Sequence, residues 1–228
     1  MKKKQIVIIT PLNTMGFSYS REVDTNWLMA RLEIMKNYTS KSLANQSDMN
    51  FDWHILVREE TKTFIRQNFD NPVIDYKICT PEESDDYINR VSDLYDDLIL
   101  IRLNSDDCYQ KDFIKTVMAF DYTEEKEALV FQNGYMWYQD EDVIVERNFA
   151  SPPFYGFIYR TADYRNGKRY DVAGHNHIRK ELKTHALREF LWLWLVHKDC
   201  NKILRGSEYP DPKEFKQVRK TILTQFGI

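Results

Sequence analysis

The chain has 228 residues, 43% hydrophobic and 29% charged, the proportions of an ordinary globular protein. A net charge of −3, from 32 Lys+Arg and 35 Asp+Glu, excludes a generally basic nucleic-acid coat. Seven glycines with no GxGxxG or GxxxxGK(S/T) run exclude a Rossmann or P-loop phosphate cradle.

The first predicted element is a strand at residues 5–9, QIVII, β-branched and continuous as in a parallel sheet. It ends in Thr10-Pro11-Leu12-Asn13, and residues 13–24 read as a polar surface loop. Asp24 or Thr25 caps a helix in which Trp27, Leu28, Arg31, Leu32, Ile34, Met35 and Tyr38 recur at helical spacing. A strand follows at 53–57, a helix at 59–69, a strand at 72–79 and an acidic helix at 81–97. Residues 98–103, LILIRL, form a buried strand that leads directly into Asn104-Ser105-Asp106-Asp107. Residues 112–120 read as a helix. Residues 128–138 read as a strand broken at Asn133-Gly134, and residues 142–147 as a strand paired with it. Residues 151–176 are loop-rich. The tail from 178 to 226 reads as two helices separated by Gly206 and Pro210-Asp211-Pro212, with FLWLWLV (190–196) buried in the first.

Strands alternating with helices imply an α/β fold with a mainly parallel sheet covered on both faces. The expected division is a catalytic domain over 1–180 and a C-terminal helical extension over 181–228. Cys79, Cys108 and Cys200 form no CxxC pair and fit a reducing cytoplasm. The apolar run after the initial MKKK is too short for a signal peptide. The seven residues of FLWLWLV are too few to span a bilayer, which needs about 20. They suit core packing or a homodimer contact better than peripheral contact with a membrane.

Open α/β sheets bind ligands at the carboxyl ends of their strands. That rule selects Thr10 to Asn13, Arg58 to Glu60, and Asn104 to Asp107. Asp106 and Asp107 leave a buried strand side by side. Two anions held together repel unless a cation lies between them, and oxygen ligands suit Mg²⁺ or Mn²⁺. The plainer alternative makes Asp106 a cap for the following helix. His175 or His177, in AGHNHI, is either a further metal ligand or a hydrogen-bonded structural residue. Arg31 and Arg102 interrupt apolar patterns, so each needs an anionic partner, either a neighbouring carboxylate or a substrate phosphate. Gln132-Asn133-Gly134-Tyr135 sets amides beside a glycine and aromatics, a composition that suits sugar binding or a bulged strand.

Several ordered blocks within residues 5–180 resemble the rhamnosyltransferase-like glycosyltransferases, a bacterial and phage family with the glycosyltransferase A-type fold. They are IVIITPLN, WLMARLEIMKNYTSKSLANQ with FDWHILV, LILIRLNSDD with CYQKDFI, FQNGYMWY, SPPFYGFI and GHNHI. The resemblance implies transfer of a sugar from a nucleotide diphosphate sugar to an acceptor hydroxyl of a glycan, aided by Mn²⁺ or Mg²⁺. It implies metal ligation by Asp106, then Asp107, with His175 completing the shell. Asn104 stands where the family usually has Asp and brings no charge. Thr10 and Asn13 match the first nucleotide-binding loop, Glu59 stands near the base, and Arg31 and Arg102 brace the acidic loop or the phosphates. Asn133 and Gly134 line the sugar or acceptor side. Asp140, Glu141, Asp142 and Asp163 are candidates for the catalytic base. Two other readings remain, a nucleotidyltransferase of similar fold and a non-catalytic nucleotide- or glycan-binding protein. Stable nucleic-acid binding is not expected at this charge.

Overall fold

The computed structural model describes residues 3–14, 19–70, 73–121, 126–197 and 216–228. The first half follows the expected alternation: β1 (Lys4–Pro11), α1 (Tyr19–Glu22), α2 (Thr25–Ile34), α3 (Ser40–Ala44), β2 (Asp52–Leu56), α4 (Glu59–Asn68), β3 (Lys77–Cys79), α5 (Pro81–Val91) and β4 (Asp97–Arg102). The second half continues with β5 (Cys108–Tyr109), α6 (Phe113–Ala119), β6 (Ala128–Tyr138), β7 (Val143–Asn148), β8 (Tyr155–Arg160), α7 (Thr161–Arg165), α8 (Ile178–Glu181), β9 (Thr184–Val196) and α9 (Lys216–Gln225). A π-helical turn, Met35–Thr39, joins α2 to α3.

The strands form one sheet in the order β3-β2-β1-β4-β8-β6-β9-β5, with β7 also paired to β6. From β3 to β4 every pairing is parallel, as expected. Beyond β4 the sheet is mixed: β8 is antiparallel to both β4 and β6, β9 runs parallel to β6, and β5 antiparallel to β9. Alternate residues feed opposite layers because successive side chains of a strand point to opposite faces. Ile6, Ile8, Ile99 and Ile101 join the large core that includes Leu28 and Leu32 of α2, whereas Val7 and Leu98 meet Ile88 of α5 and Tyr164 of α7.

Three sequence expectations are corrected here. FLWLWLV is not a helix but the end of β9, a strand inside the sheet whose two faces are both covered. Trp192 and Val196 enter the main core, while Leu193 and Leu195 join Leu223 and Phe226 at α9. A short apolar run without period is equally compatible with a buried helix and a doubly covered strand. The expected helical extension over 181–228 is therefore replaced, as far as Val196, by a strand of the main sheet, while α9 matches the expected second helix. The separating Gly206 and Pro210-Asp211-Pro212 lie outside the described residues. Second, the stretch read as loop-rich contains β8 and α7. Third, the strand expected at 72–79 forms only at Lys77–Cys79. No helix among the described residues is long and apolar enough to cross a membrane.

His54, on β2, is buried without a charge. Its Nδ1 lies 2.7 Å from Ser84 Oγ, and its Nε2 is buried without a hydrogen-bond partner. Burial, then the nearby Lys77 ammonium, push its pKa down to about 4. The unfolded chain therefore binds a proton that the fold refuses between about pH 6.5 and 4. Stability from this group is complete above pH 6.5 and falls as the pH drops to 4, by up to about 3 kcal/mol. Urea unfolding across that window should show the slope in the wild type and a flatter profile in His54→Gln; equal slopes would refute the assignment.

Candidate functional site

The site grows from the carboxyl end of β4. The backbone N–H of Leu103 donates to the Ile9 carbonyl at 3.0 Å, which keeps the chain on the sheet for one more residue. Asn104 to Asp107 then make a turn closed by the Asp107 N–H on the Asn104 carbonyl at 3.2 Å. The Asn104 amide folds inward, its Nδ2 donating to Asp107 Oδ2 at 2.8 Å and its Oδ1 accepting from Arg102 Nη2 at 3.3 Å. Asp107 is fully buried, and its other oxygen accepts from the backbone N–H of Leu195 in β9 at 3.2 Å. Burial, and then the neighbouring Asp106, push its carboxyl well above the usual carboxylate range.

Asp106 faces a different set of groups. Its Oδ2 lies 2.8 Å from Arg31 Nη1 and 3.3 Å from His197 Nε2. The second Arg31 nitrogen, Nη2, donates to the buried hydroxyl of Ser105 at 2.6 Å, and the guanidinium lies over the Trp27 ring at 5.8 Å from its centroid. Burial alone would raise the Asp106 pKa, but the Arg31 charge and the His197 and Arg31 hydrogen bonds hold it down at about 2. One carboxyl of the pair is thus ionised and clamped by a guanidinium, and the other is held inside the fold. The loop is pinned on three sides, by α2, by β9 and by β4.

A cavity of about 450 Å³ opens across the ends of the parallel strands, linked to this loop through Arg102. Ile9 and Pro11 of β1, Leu56 of β2, Leu100 and Arg102 of β4, and Tyr155 and Phe157 of β8 line it, with Thr14 and Pro81. The wall is mainly apolar with a few polar groups, the usual make-up of a small-molecule site. Arg102 stands in it as a cation whose Nε is buried without a hydrogen-bond partner. Among the described residues no carboxylate comes within ion-pair distance of Arg102.

The structure brings Arg31, Arg102, Asn104, Asp106 and Asp107 together and sets the other expected residues elsewhere. Thr10 is buried, and its hydroxyl accepts from the Trp53 indole at 2.9 Å, so it is a core group rather than a nucleotide contact. Asn13 is a buried brace. Its amide donates to the Glu22 carbonyl and to Thr61 Oγ1, and its Oδ1 accepts from the Arg58 N–H. Glu59 is exposed and pairs with Lys62. Asn133 is held by Asn148 and by the Arg188 carbonyl. Gly134 lies under Trp192, so the missing side chain makes room for β9 and not for a sugar. His175 sits against Ser151, its Nδ1 2.8 Å from the Ser151 carbonyl, and does not join the acidic loop. Asp107 is fully buried and each of its oxygens already accepts an N–H, from Asn104 and from Leu195.

The candidate bases separate by topology. Because β8 runs antiparallel to β4, Arg160 pairs with Asp97 at the amino end of β4. Asp163, just beyond Arg160, is therefore at the opposite end of the sheet from Asp106 and is excluded. Asp140, Glu141 and Asp142 lie in the turn between β6 and β7. That turn is tied to the end of β9 by Gln139 N–H on the Val196 carbonyl at 3.0 Å, one residue from His197. All three are exposed, and Asp142 is ion-paired with Arg219 of α9. Sequence reasoning missed His197 and Ser105. A strand reading of FLWLWLV would have carried His197 to the same sheet end as the Asn104–Asp107 loop.

A model of a family described as "putative rhamnosyl transferase" matches residues 19–201 of the chain. No curated protein matches it. Among solved structures, TarS 1-349 of S. aureus in complex with UDP-GlcNAc is 13% identical over 97% of this chain and 66% of that one, with a TM-score of 0.47. Another TarS structure is matched over 37% of its length, so the chain spans less than two thirds of these relatives. A structure from Desulfovibrio desulfuricans G20 described as a "putative nucleotide-diphospho-sugar transferase" is 15% identical over 97% of this chain and 99% of that one, with a TM-score of 0.39.

Proposed function

The chain belongs to the family described as putative rhamnosyl transferase, and from that premise we propose that it moves a sugar, a rhamnosyl or related hexosyl unit, from a nucleotide diphosphate donor to an acceptor hydroxyl. One observation carries the reading beyond the family: an apolar cavity of about 450 Å³ lies at the carboxyl ends of β1, β2 and β4, and Arg102 in its wall donates to Asn104 of the acidic turn. A flat base and ribose suit the apolar wall. Arg102, in that wall, meets the phosphates, because a guanidinium offers a fork of donors that matches phosphate oxygens. The sugar then lies toward Asp106, His197 and the β6–β7 turn. Asp140 and Glu141, both exposed in that turn, are the carboxylates that can take the proton from the incoming hydroxyl.

The resemblance implies Mn²⁺ or Mg²⁺ held by Asp106, Asp107 and His175. The side chains do not fit that ion. Asp107 is fully buried with an N–H on each oxygen, His175 lies elsewhere, and Asp106 Oδ2 already carries Arg31 and His197, which leaves only Oδ1. Among the described residues no three His, Cys, Asp or Glu side chains converge as a metal set.

Thermal shift with UDP-, GDP-, CDP- and dTDP-sugars tests the donor site. A ligand at about 100 times its dissociation constant adds about 2.7 kcal/mol. For a domain of this size that is a rise of roughly 5–10 °C in Tm. One nucleotide class should give this shift in the wild type and lose it in Arg102→Gln. Release of a nucleoside diphosphate on turnover identifies a sugar transfer, whereas release of pyrophosphate identifies a nucleotidyl transfer. No shift with any of the four would sink the reading.

A further inference from the structure

Resting on the donor-site reading above, we infer that this transferase neutralises its donor without a divalent cation: Arg31 cancels the charge of Asp106 through Oδ2, and Arg102 meets the diphosphate. The first ground is the oxygen supply. A Mg²⁺ ion demands near-octahedral oxygen coordination and is usually held by one or two free carboxylates together with substrate phosphates. Here the turn offers a single carboxylate. Asp107 accepts from Asn104 and from the Leu195 N–H, and Asn104 spends its amide on Asp107 and Arg102. What remains is Asp106, whose Oδ2 already carries Arg31 at 2.8 Å and His197 at 3.3 Å, so the turn leaves one carboxylate oxygen, Oδ1, for an ion that wants several.

The second ground is what holds Arg31 there. The guanidinium is 4% exposed and uses both terminal nitrogens, one on Asp106 and one on Ser105 at 2.6 Å. Its planar fork thus bridges two successive residues of the turn, and the Trp27 ring lies beneath it. A metal ion could displace it only by stranding a buried charge. Arg31 is therefore a positioning residue. It cancels the charge of Asp106, so that a diphosphate can approach a loop that would otherwise repel it.

The third ground is Arg102. It lies in the cavity wall, one turn of chain from Asp106, with a buried Nε lacking a hydrogen-bond partner and a single weak side-chain bond, to Asn104 at 3.3 Å. Among the described residues it has no carboxylate partner. A half-buried guanidinium left in this state is completed by an anion. Two guanidiniums against the one ionised carboxylate give the site a positive balance before any ion is added, which is the condition that a metal supplies elsewhere.

Calorimetric titration of the intact protein with UDP, GDP, CDP and dTDP, in excess EDTA and again in MnCl₂, tests this. The nucleoside diphosphate that binds should do so with the same affinity, within about threefold, in both conditions, and Arg102→Gln should weaken it at least about tenfold in EDTA, the loss expected for a charge-assisted contact. Direct Mn²⁺ titration followed by electron paramagnetic resonance should show no stoichiometric site in the absence of nucleotide. Binding that appears only with Mn²⁺, or is tightened by more than threefold, would overturn the inference and leave the donor site standing. So would binding in EDTA that ignores Arg102→Gln. No binding of any nucleotide in either condition would remove the donor reading itself and this inference with it.

Discussion

Arg31→Met lowers the Tm by roughly 6–20 °C. The replacement keeps the aliphatic stem of the side chain while deleting the guanidinium that bridges Ser105 and Asp106 and lies over Trp27. Asp106 is left with His197 alone, and breaking a buried pair by removing one partner costs about 3–5 kcal/mol because the remaining charge is uncompensated. In a domain of this size each kcal/mol is worth about 2–4 °C. The sign of the pH dependence follows from the Asp106 pKa, about 2 in the fold against 3.8 unperturbed. A depressed carboxyl contributes stability that is complete above pH 3.8 and disappears as the pH falls through 2. The gap between wild type and variant should therefore close with acid over that window. Asp107 pulls the other way. Its raised pKa favours the protonated form, so its contribution is present below pH 3.8 and is lost as the pH rises. A second variant separates charge from packing. Arg31→Met with Asp106→Asn should recover much of the lost stability, since neither charge is then stranded. Differential scanning calorimetry of the wild type, Arg31→Met, Asp106→Asn and the double variant decides the matter, and additive losses in the double variant would refute the charge account.

The acidic loop could be read from sequence because two independent signals met there. LILIRL is a run that only a doubly covered strand or a buried helix explains, and Asn104-Ser105-Asp106-Asp107 follows it without a spacer. The loop's use was less legible. Adjacent carboxylates suggest a shared cation, but their spacing does not say that Asp107 turns inward to β9 or that the cation is the chain's own Arg31. Arg31 was conspicuous as a charge on an apolar helical face, and its partner was one of the two alternatives that such a charge allows. Thr10 and Asn13 misled because β1 is covered on both faces. A polar residue at its end can turn to the core as readily as to a ligand, and the Trp53 indole and Thr61 hydroxyl that claim them lie more than 40 positions away. His197 and β8 were lost for a different reason. The parallel strand β9 and the antiparallel strand β8 are set by pairings that reach across the chain, Ala128 with Thr184 and Asp97 with Arg160, and local periodicity carries no trace of such partners.

Gly134→Ala should abolish the folded state, or leave one destabilised beyond the ~1–3 kcal/mol that overpacking ordinarily costs. The glycine lies in the middle of β6 where the register with β9 slips, between Asn133 and Gly134, and Trp192 comes directly against it. A methyl built there would sit 2.1 Å from Trp192 Cδ2 and 2.4 Å from the Trp192 carbonyl oxygen. A flexible side-chain end could move aside, but this contact cannot relax that way. The indole is wedged, stacked on Phe154 at 4.5 Å and on Phe149 at 6.0 Å, with its Nε1 donating to the Phe131 carbonyl at 2.7 Å. The carbonyl belongs to the backbone of β9 itself, so relief requires the two strands to part. Parting them would also withdraw the Leu195 N–H from Asp107 and His197 from Asp106, so the acidic loop would loosen with the sheet. The discriminating measurement is urea unfolding of Gly134→Ala beside Gly156→Ala. The second glycine, in β8, leaves its nearest neighbour, the Ile101 side chain, at 3.0 Å, a contact that a small shift can relieve. Gly156→Ala should stay folded with a modest loss, whereas Gly134→Ala should unfold at far lower urea or fail to accumulate as folded protein. Equal stability of the two variants would mean that β6 and β9 do not approach as closely as this packing requires.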